Sequence, residues 1–337
     1  MVLRALNFYD HPSLKGESKM FKKCVVVALL GLSASLGLAQ EWPTAKPIRL
    51  IAVFPPGGSV DQVSRILAEA LRQQLNQTVV VENIGGASGV VGTQAVARAA
   101  PDGYTFGVVF DTHGVNPGLK PSMPFDTLKD LEHIHLIGTA PMLLGASKGS
   151  PVTSFAQLVE ASKAKQKTSY GTIGAGSLGH LALASLAKTA GFDWTHVPYR
   201  GGGPLMTDAA GGHVPLVVGS LFLVKPQVDA GNVKPLVVST SKRSRQMPDV
   251  PTIAESGFPG FDAPAWWGVI GPAKLPPAVI SRFNDALAKA LRTPEVAQKL
   301  NAQGIDILAA GPEVFKPFVD KQISTWAKFI KDNNITE

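Results

Sequence analysis

The sequence predicts an α/β fold built as two domains. From Pro47 onward, short β-rich runs alternate with amphipathic helical patterns, and this alternation begins again after residue 145. Such alternation is typical of layered α/β architecture, with helices covering a mostly parallel sheet. The chain without its first 39 residues is about 300 residues long, which exceeds a comfortable single core, so two domains are expected.

The first region contains three predicted strands and two predicted helices. The helical pattern places Val63, Leu67 and Leu71 on one face. The turn Pro101-Asp102-Gly103 ends the second helix and precedes a buried strand. In chain order we predict a strand over 48–54, a helix over 60–76, a strand over 78–82, a helix over 93–99 and a strand over 104–110.

The second region repeats the same pattern. Ser154 and Gln157 form a capping box, which predicts a helix from there to residue 165. Gly191 ends the next predicted helix. The remaining predictions are a strand over 168–172, a helix over 180–190, and strands over 214–218 and 233–239.

Two C-terminal helices, over 277–292 and 312–331, each begin with a proline in the first turn. Because they need a core to cover, we expect them to pack back on the first region. This predicts a discontinuous domain 1 (40–143 plus 242–337) around an inserted domain 2 (144–241). Two crossing segments, near residues 140–147 and 239–245, would then form a hinge beside an interdomain ligand cleft.

The first 39 residues are interpreted as an N-terminal extension and a secretory signal peptide. Lys22 and Lys23 precede an apolar run over 24–38, and Gly37 and Ala39 suit a cut before Gln40. A retained membrane anchor is disfavoured because the run is short. Met20 opens a complete signal by itself. The mature protein is therefore expected in the periplasm.

Composition excludes several classes of protein. The chain has 32 Lys and Arg against 25 Asp and Glu, and the first 39 residues hold five and two of these, which leaves a net charge of +4. No basic run interleaved with aromatic residues is present, so a nucleic-acid partner is not expected. The one cysteine, Cys24, lies inside the signal, so no disulfide, catalytic thiol or thiolate metal site is expected.

A glycine-containing loop follows the first predicted strand, in Phe54-Pro55-Pro56-Gly57-Gly58-Ser59-Val60-Asp61. Glycine lets backbone amides approach a ligand, Ser59 can donate or cap, and a helix N-terminus favours an anion. The alternative is a tight turn with an ordinary cap. The loop lacks the Lys of a phosphate-binding nucleotide loop, so a nucleoside triphosphate is not predicted.

Two further glycine-rich segments each join a strand to a helix. Gly85–Gly92 is followed about 20 residues later by Asp111, and Gly174–Gly179 matches G-x-G-x-x-G, as in dinucleotide sites. No strand-end acid lies at that distance beyond Gly179, and we expect no cofactor. Both segments predict anion-binding helix N-termini, one in each domain, that could close on one ligand.

Arg200 lies in Val197-Pro198-Tyr199-Arg200-Gly201-Gly202-Gly203-Pro204, where a cation beside three glycines suits anion binding. The alternative is a surface turn. Ser177 with His180 nearly matches a nucleophile elbow and leaves open a second function, a periplasmic serine hydrolase. A helix cap is the other interpretation of that pair.

Three other pairs of side chains could carry chemistry. His133 and His135 alternate on one strand face, but no third metal ligand is recognisable, so a solvated strand edge and no metal site are predicted. Asp61 and Asp111 are interpreted as structural rather than as paired acids. Trp266 and Trp267 either pack the domains or wall a ligand.

Several motifs together resemble those of Bug-type extracytoplasmic solute receptors of the tripartite tricarboxylate transporter family. They span essentially the whole mature chain: Phe54-Pro55-Pro56-Gly57-Gly58 with Asp61 and Arg65, Asn116-Pro117, Pro124-Phe125-Asp126 with Asp130, Val197-Pro198-Tyr199-Arg200-Gly201-Gly202, and Pro248-Asp249-Val250-Pro251-Thr252 with Glu255. The resemblance implies a type II-like periplasmic binding protein fold. It also implies a receptor that is not an enzyme, that delivers a small carboxylate to membrane permease subunits, and that we expect to be a monomer.

The resemblance assigns ligand contacts in both domains. The first-domain set is Phe54, Gly58, Ser59 and Asp61, with Ser88, Thr112 and His113 on neighbouring loops; the second-domain set is Gly176, Ser177, Tyr199, Arg200 and Gly201.

The sequence departs from the family pattern in two places. Pro215 replaces an Asp found in many members, and Gly219-Ser220 replace a pair that is often acidic or amide. Without these acidic side chains, the ammonium group of an amino acid would lose an obvious partner. We therefore expect the ligand to be a simple carboxylate rather than an amino acid.

Overall fold

The computed structural model describes residues 42–120, 122–333 and 335. The predicted extension and signal peptide lie outside these residues. None of the helices in the described part of the chain is both long and apolar enough to cross a lipid bilayer.

Ten strands and ten α-helices are found among the described residues. The strands are β1 (Ile48–Ala52), β2 (Val79–Asn83), β3 (Thr105–Phe110), β4 (Leu131–Ser147), β5 (Thr168–Thr172), β6 (Trp194–Pro198), β7 (Leu216–Ser220), β8 (Val233–Val238), β9 (Pro264–Pro272) and β10 (Asp306–Ala310). The helices are α1 (Ser59–Leu75), α2 (Val90–Ala97), α3 (Thr112–Leu119), α4 (Phe155–Lys163), α5 (Leu178–Ala190), α6 (Gly202–Gly211), α7 (Leu221–Asp229), α8 (Pro277–Arg292), α9 (Pro294–Ala302) and α10 (Pro312–Asn333). A short 3-10 turn, Ala87–Gly89, precedes α2.

The strands form one sheet in the order β2-β1-β3-β9-β4-β7-β5-β6, and β8 and β10 also pair with β4. We call the part built on β1, β2, β3, β9 and β10 the first lobe, and the part built on β5 to β8 the second lobe. Pairing is parallel among β1, β2 and β3 and among β5, β6 and β7, but every pair that involves β4 or β9 is antiparallel. The expectation of a mostly parallel sheet is therefore wrong: the sheet is mixed, because β4 and β9 run against their neighbours.

Strand β4 is the continuous connection between the lobes. Its first part pairs with β9, up to Pro141, and its second part pairs with β7 from Met142 onward. Ser239, just after β8, donates its amide to Met142 and accepts a hydrogen bond from the amide of Ala263. The two passages of the chain between the lobes thus lie side by side, as expected for a two-domain binding-protein fold.

The C-terminal helices pack on the first lobe. Phe283 of α8 stacks on Phe106 of β3, with ring centroids 3.7 Å apart, and Phe315 of α10 contacts Trp266 of β9. The loop between β8 and β9 contacts the second lobe instead, through Phe258 against Phe155. The domain boundaries given above remain a prediction.

We predict that Gly92→Ala destabilises the protein. A Cβ at residue 92 would lie 2.4 Å from the carbonyl oxygen of Ile84 and 2.8 Å from the Cα of Val53, and backbone atoms cannot give way cheaply. Overpacking of this kind costs about 1–3 kcal/mol in the free energy of unfolding, which urea denaturation measures. The control is Val91→Ala, at an exposed position of the same helix, with an expected change within about 0.5 kcal/mol. A Gly92→Ala protein as stable as the wild type would contradict the packing described here.

Candidate functional site

Two helix N-termini meet across the lobes. Helix α1 begins after Gly58 and helix α6 begins after Gly201, and neither glycine provides a side-chain cap. A Cβ on Gly58 would lie 3.5 Å from the nitrogen of Gly202, and one on Gly57 would lie 3.6 Å from the Cα of Gly203. Because each helix start carries a partial positive charge, this contact concentrates positive potential at the seam between the lobes.

A cavity of about 720 Å³ opens beside this contact. Its walls come from both lobes, and its size falls within the usual range for small-molecule sites. The lining residues are Phe54, Pro55, Pro56, Asn83, Gly85, Gly86, Ala87, Ser88, Ile173, Gly174, Ala175, Pro198, Tyr199, Arg200 and Gly201.

The first-lobe wall contains a strained turn. Ala87 and Ser88 have φ values of 46° and 55°, in the left-handed region that residues with a Cβ rarely adopt. Each such residue costs on the order of 1 kcal/mol or more, and strain of this kind clusters at ligand-binding segments. The turn places the Ser88 hydroxyl 2.7 Å from the carbonyl oxygen of Ala175, to which it donates a hydrogen bond across the cleft. Asn116 donates to the carbonyl oxygen of Ser88 at 3.0 Å.

Five of the predicted site residues line the cavity: Phe54, Ser88, Tyr199, Arg200 and Gly201. The Tyr199 hydroxyl is already engaged, since it donates to Asp208 at 2.8 Å. Burial and, next, that carboxylate raise the pKa of Tyr199 to about 12. The side chain of Arg200 is exposed, so its guanidinium is available to an anion in the cavity.

Five predicted residues of the first lobe are absent from the cavity lining, and three of them belong to the loop after β1 and the start of α1. Gly58 lies at the contact between the helix starts, and Ser59 is buried as the first residue of α1. Asp61 accepts a hydrogen bond from the amide of Gly57 at 3.0 Å and forms an ion pair with Arg65. Burial acts to raise the pKa of Asp61, but the bonds from Arg65 and Gly57 outweigh it and lower the pKa. Asp61 therefore fixes the shape of the loop, in line with the structural role expected for it.

Thr112 and His113 form the first turn of α3 rather than a loop, and both are buried. The Nε2 atoms of His113 and His133 are 3.2 Å apart. Burial, and then the neighbouring His133, hold the pKa of His113 well below its ordinary value. Neither Thr112 nor His113 lines the cavity.

The prediction that His133 and His135 form a solvated strand edge is wrong. Both are buried, because β4 lies in the middle of the sheet. The Nδ1 atom of His135 is 2.8 Å from the side-chain oxygen of Asn284. Within the described residues, no group of three or more His, Cys, Asp or Glu side chains could hold a metal ion.

Gly176 and Ser177 lie directly behind the second-lobe wall. The amide of Gly176 donates to Nδ1 of His180 at 3.1 Å, so it is not free for a ligand. Ser177 caps α5, since its hydroxyl oxygen accepts a hydrogen bond from the backbone amide of His180. The imidazole of His180 thus faces Gly176, and the contacts of Ser177 and His180 are those of a cap and a loop support, not of a nucleophile and its base.

The tryptophan pair packs the interior. Trp267 contacts Phe110 of the first lobe and Phe222 of the second, and Trp266 packs on Phe315. Neither tryptophan lines the cavity, so of the two interpretations the structure favours packing.

Asn83 is a cavity residue that the sequence reasoning missed. Its side chain donates to the carbonyl oxygen of Phe54 at 3.0 Å and accepts from Arg65 at 3.2 Å, which ties the first loop to the end of β2. The sequence does contain one indication that Asn83 could belong to the site: it is a polar residue at the end of a predicted strand, next to the loop that follows β1. The other cavity residues not named as contacts are Pro55, Pro56, Gly85, Gly86, Ala87, Ile173, Gly174, Ala175 and Pro198, most of them inside the glycine-rich segments already noted.

Asp111 is fully buried where β3 ends, and the backbone amides of Leu178 and Thr112 approach its carboxylate without forming a hydrogen bond of good geometry. Burial raises the pKa of Asp111 well above its ordinary value, although the backbone amides of Leu178 and Thr112 oppose this shift. Leu178 belongs to the second lobe, so Asp111 lies at the seam between the lobes.

A family model, a related protein and two solved structures all match most of this chain. The model of the family described as "Tripartite tricarboxylate transporter family receptor" matches residues 63–335. The chain is 33% identical to Protein BugT of Bordetella pertussis, over 91% of this chain and 95% of that protein. Among solved structures, it is similar to the periplasmic binding protein BugD (32% identity, TM-score 0.83, 87% of this chain and 99% of that one). It is also similar to Rpa4515 of R. palustris with adipate (31% identity, TM-score 0.83, 88% and 99%).

We predict that Asp111→Asn makes stability less dependent on pH. A raised pKa means that the native protein binds this proton more tightly than the unfolded chain, so the wild type loses stability as pH rises above the ordinary Asp range. The free energy of unfolding of Asp111→Asn, relative to that of the wild type, should therefore rise with pH, by at most about 1.4 kcal/mol per pH unit for one proton. Urea denaturation between pH 5 and 8 measures this, with the exposed Asp193→Asn as the control. Parallel pH profiles for wild type and Asp111→Asn would contradict the assignment.

Proposed function

The chain belongs to the tripartite tricarboxylate transporter receptor family, and we propose that it captures a small organic carboxylate in the cavity between its lobes. One observation carries this proposal: the starts of α1 and α6 meet across the lobes, with no side-chain cap on either, beside a cavity that Arg200 lines. Two adjacent helix N-termini and a guanidinium favour a negatively charged ligand.

Capture would work through closure of the lobes. The ligand would bind to one wall and then be enclosed by the other, which shifts an equilibrium between open and closed forms toward the closed one. The bond from Ser88 to Ala175 and the contact of Gly58 with Gly202 support this mechanism, because both join the lobes and both would break on opening. We propose domain 1 (40–143 plus 242–337) and domain 2 (144–241) as the two bodies that move.

The cavity favours a simple carboxylate over an amino acid. None of the residues that line it carries a carboxylate, so an ammonium group would lose its water without gaining a charged partner. The adipate in the solved relative is a dicarboxylate without an amino group. We infer the same chemical class for the ligand of this chain.

The receptor would work in the periplasm as a monomer, would deliver its ligand to membrane permease subunits, and would catalyse no reaction. The contacts of Ser177 and His180 support the last point. Turnover of an activated ester that is lost in Ser177→Ala would contradict it.

The partner can be tested from gene order. Neighbouring genes for a large and a small membrane subunit would support the permease, whereas a neighbouring sensor gene would point to signalling instead.

The experiment that tests the proposal follows thermal unfolding of residues 40–337 against di- and tricarboxylates, aromatic acids, amino acids and nucleotides. A ligand that binds only the native state raises the melting temperature by mass action. A shift with carboxylates alone is expected. A shift only with amino acids would overturn the ligand class, and one only with nucleotides would overturn the function. If nothing shifts, unfolding the purified protein and analysing what is released by mass spectrometry tests whether a carboxylate is already bound.

We predict that Arg200→Ala weakens carboxylate binding by about tenfold to a hundredfold, since a hydrogen bond to a charged group contributes about 1.5–3 kcal/mol. Isothermal titration calorimetry measures the affinity. The control is Arg98→Ala, which removes the same charge from an exposed position after α2 and should leave the affinity unchanged. Equal affinities for Arg200→Ala and wild type would remove Arg200 from the site.

A further inference from the structure

The second-lobe wall of the cavity is a turn whose middle residue makes the bond to the first lobe. Gly174 and Ala175 line the cavity, and Gly174 and Gly176 have φ values of +150° and +72°. The carbonyl oxygen of Ala175 accepts the hydrogen bond from Ser88. The orientation of this turn therefore decides whether the hydrogen bond from Ser88, which joins the two lobes, can form.

Two stacked imidazoles lie behind the turn. The rings of His180 and His196 are 3.9 Å apart and nearly parallel, with 12° between their planes. His180 accepts the amide of Gly176 on Nδ1, so its ring is neutral and carries its proton on Nε2.

His196 supports the other end of the turn through Thr172. The Thr172 hydroxyl donates to the carbonyl oxygen of Gly174 at 3.1 Å and accepts from the Gly174 amide at 3.3 Å. His196 Nε2 lies 2.6 Å from the same hydroxyl and forms a hydrogen bond with it. Both glycines that flank Ala175 are thus held by one imidazole pair.

We propose that His180 is a positioning residue for ligand capture, whose neutral imidazole holds Ala175 in the orientation in which it meets Ser88. This inference rests on the proposed function. His180 does not line the cavity and acts through the turn. No other side chain among the described residues forms a hydrogen bond with the Gly176 amide.

The arrangement makes capture sensitive to acid. A protonated imidazole has donors on both nitrogens, so it cannot accept the Gly176 amide. Within the described structure, the ring of Tyr170 on β5 lies 5.3 Å from the His196 ring and the Thr172 hydroxyl contacts His196 Nε2, and neither imidazole forms an ion pair there. Burial lowers the pKa of His180, and burial together with His180 lowers that of His196 to about 3. The hydrogen bond from Gly176 to His180 therefore contributes fully above the ordinary His pKa of about 6.5. Its contribution weakens as pH falls from there toward the lowered pKa of His180, because a released His180 takes up a proton that the supporting His180 does not.

The test compares His180→Asn with His180→Leu. Asparagine offers an oxygen acceptor close to the position of Nδ1 but does not titrate, whereas leucine offers no acceptor. The probe is adipate, or the carboxylate with the largest thermal shift, titrated by calorimetry at pH 7.5 and 5.5. Because any protonation of the carboxylate itself is the same in every variant, the difference between wild type and His180→Asn isolates the imidazole.

We expect His180→Leu to bind about tenfold more weakly at pH 7.5, and His180→Asn to bind within about threefold of the wild type. Between pH 7.5 and 5.5 the wild type should lose more affinity than His180→Asn. Parallel pH profiles, or wild-type affinity in His180→Leu, would overturn the inference.

A second measurement does not need a ligand. Hydrogen exchange of the Gly176 amide, followed by NMR, should be slow in wild type and His180→Asn and faster in His180→Leu. Equal protection in all three proteins would overturn the role of His180. If no carboxylate binds the wild type while exchange behaves as expected, the proposed ligand class fails but the support of the turn by His180 stands.

Discussion

The close approach of two glycine-capped helix starts is the constraint on which the rest of the structure depends. The approach of Gly202 to Gly58 depends on the missing side chain at residue 202: a Cβ there would lie 3.2 Å from the Cα of Gly58 and 2.8 Å from the side chain of Leu223. The same absence leaves the first amides of α1 and α6 without side-chain acceptors. Like partial charges are thereby brought together, and an anion beside them would relieve their repulsion.

The scaffold holds these helix starts in place while leaving room for motion. Strand β4 runs through both lobes, and Ser239 bonds both to Met142 of β4 and to Ala263, the residue before β9. Away from these crossings, the lobes share an apolar cluster, in which Leu119 of α3 and Ile330 of α10 meet Leu181 of α5, and polar contacts such as the hydrogen bond from Ser88 to Ala175. A hydrogen bond of this kind contributes about 1 kcal/mol, and a ligand shifts the equilibrium by the difference between its affinities for the open and closed forms.

Local signals in the sequence predicted much of the fold and part of the site. The strand over 168–172 and the helix over 277–292 agree with β5 and α8 residue for residue, because a capping box, prolines and glycines mark the ends of such elements. A strand through His133 and His135 was predicted, but the full length of β4 was not, since its 17 residues include Pro141 and are buried through partners distant in sequence. For the same reason the burial of His133 and His135 could not be foreseen. The glycine-rich loops were predicted as anion sites, but only the folded chain shows that Gly176 gives its amide to His180 and that Asn83 reaches the cavity.

The most direct test of the central claim is a crystal structure of the protein with the carboxylate that stabilises it most. The account predicts that the ligand lies between the lobes, with a carboxylate group that contacts both the segment from Phe54 to Gly58 and the segment from Tyr199 to Gly202. A ligand bound to one lobe alone would contradict this account, as would one in the separate depression lined by Pro117, Met123 and Phe125.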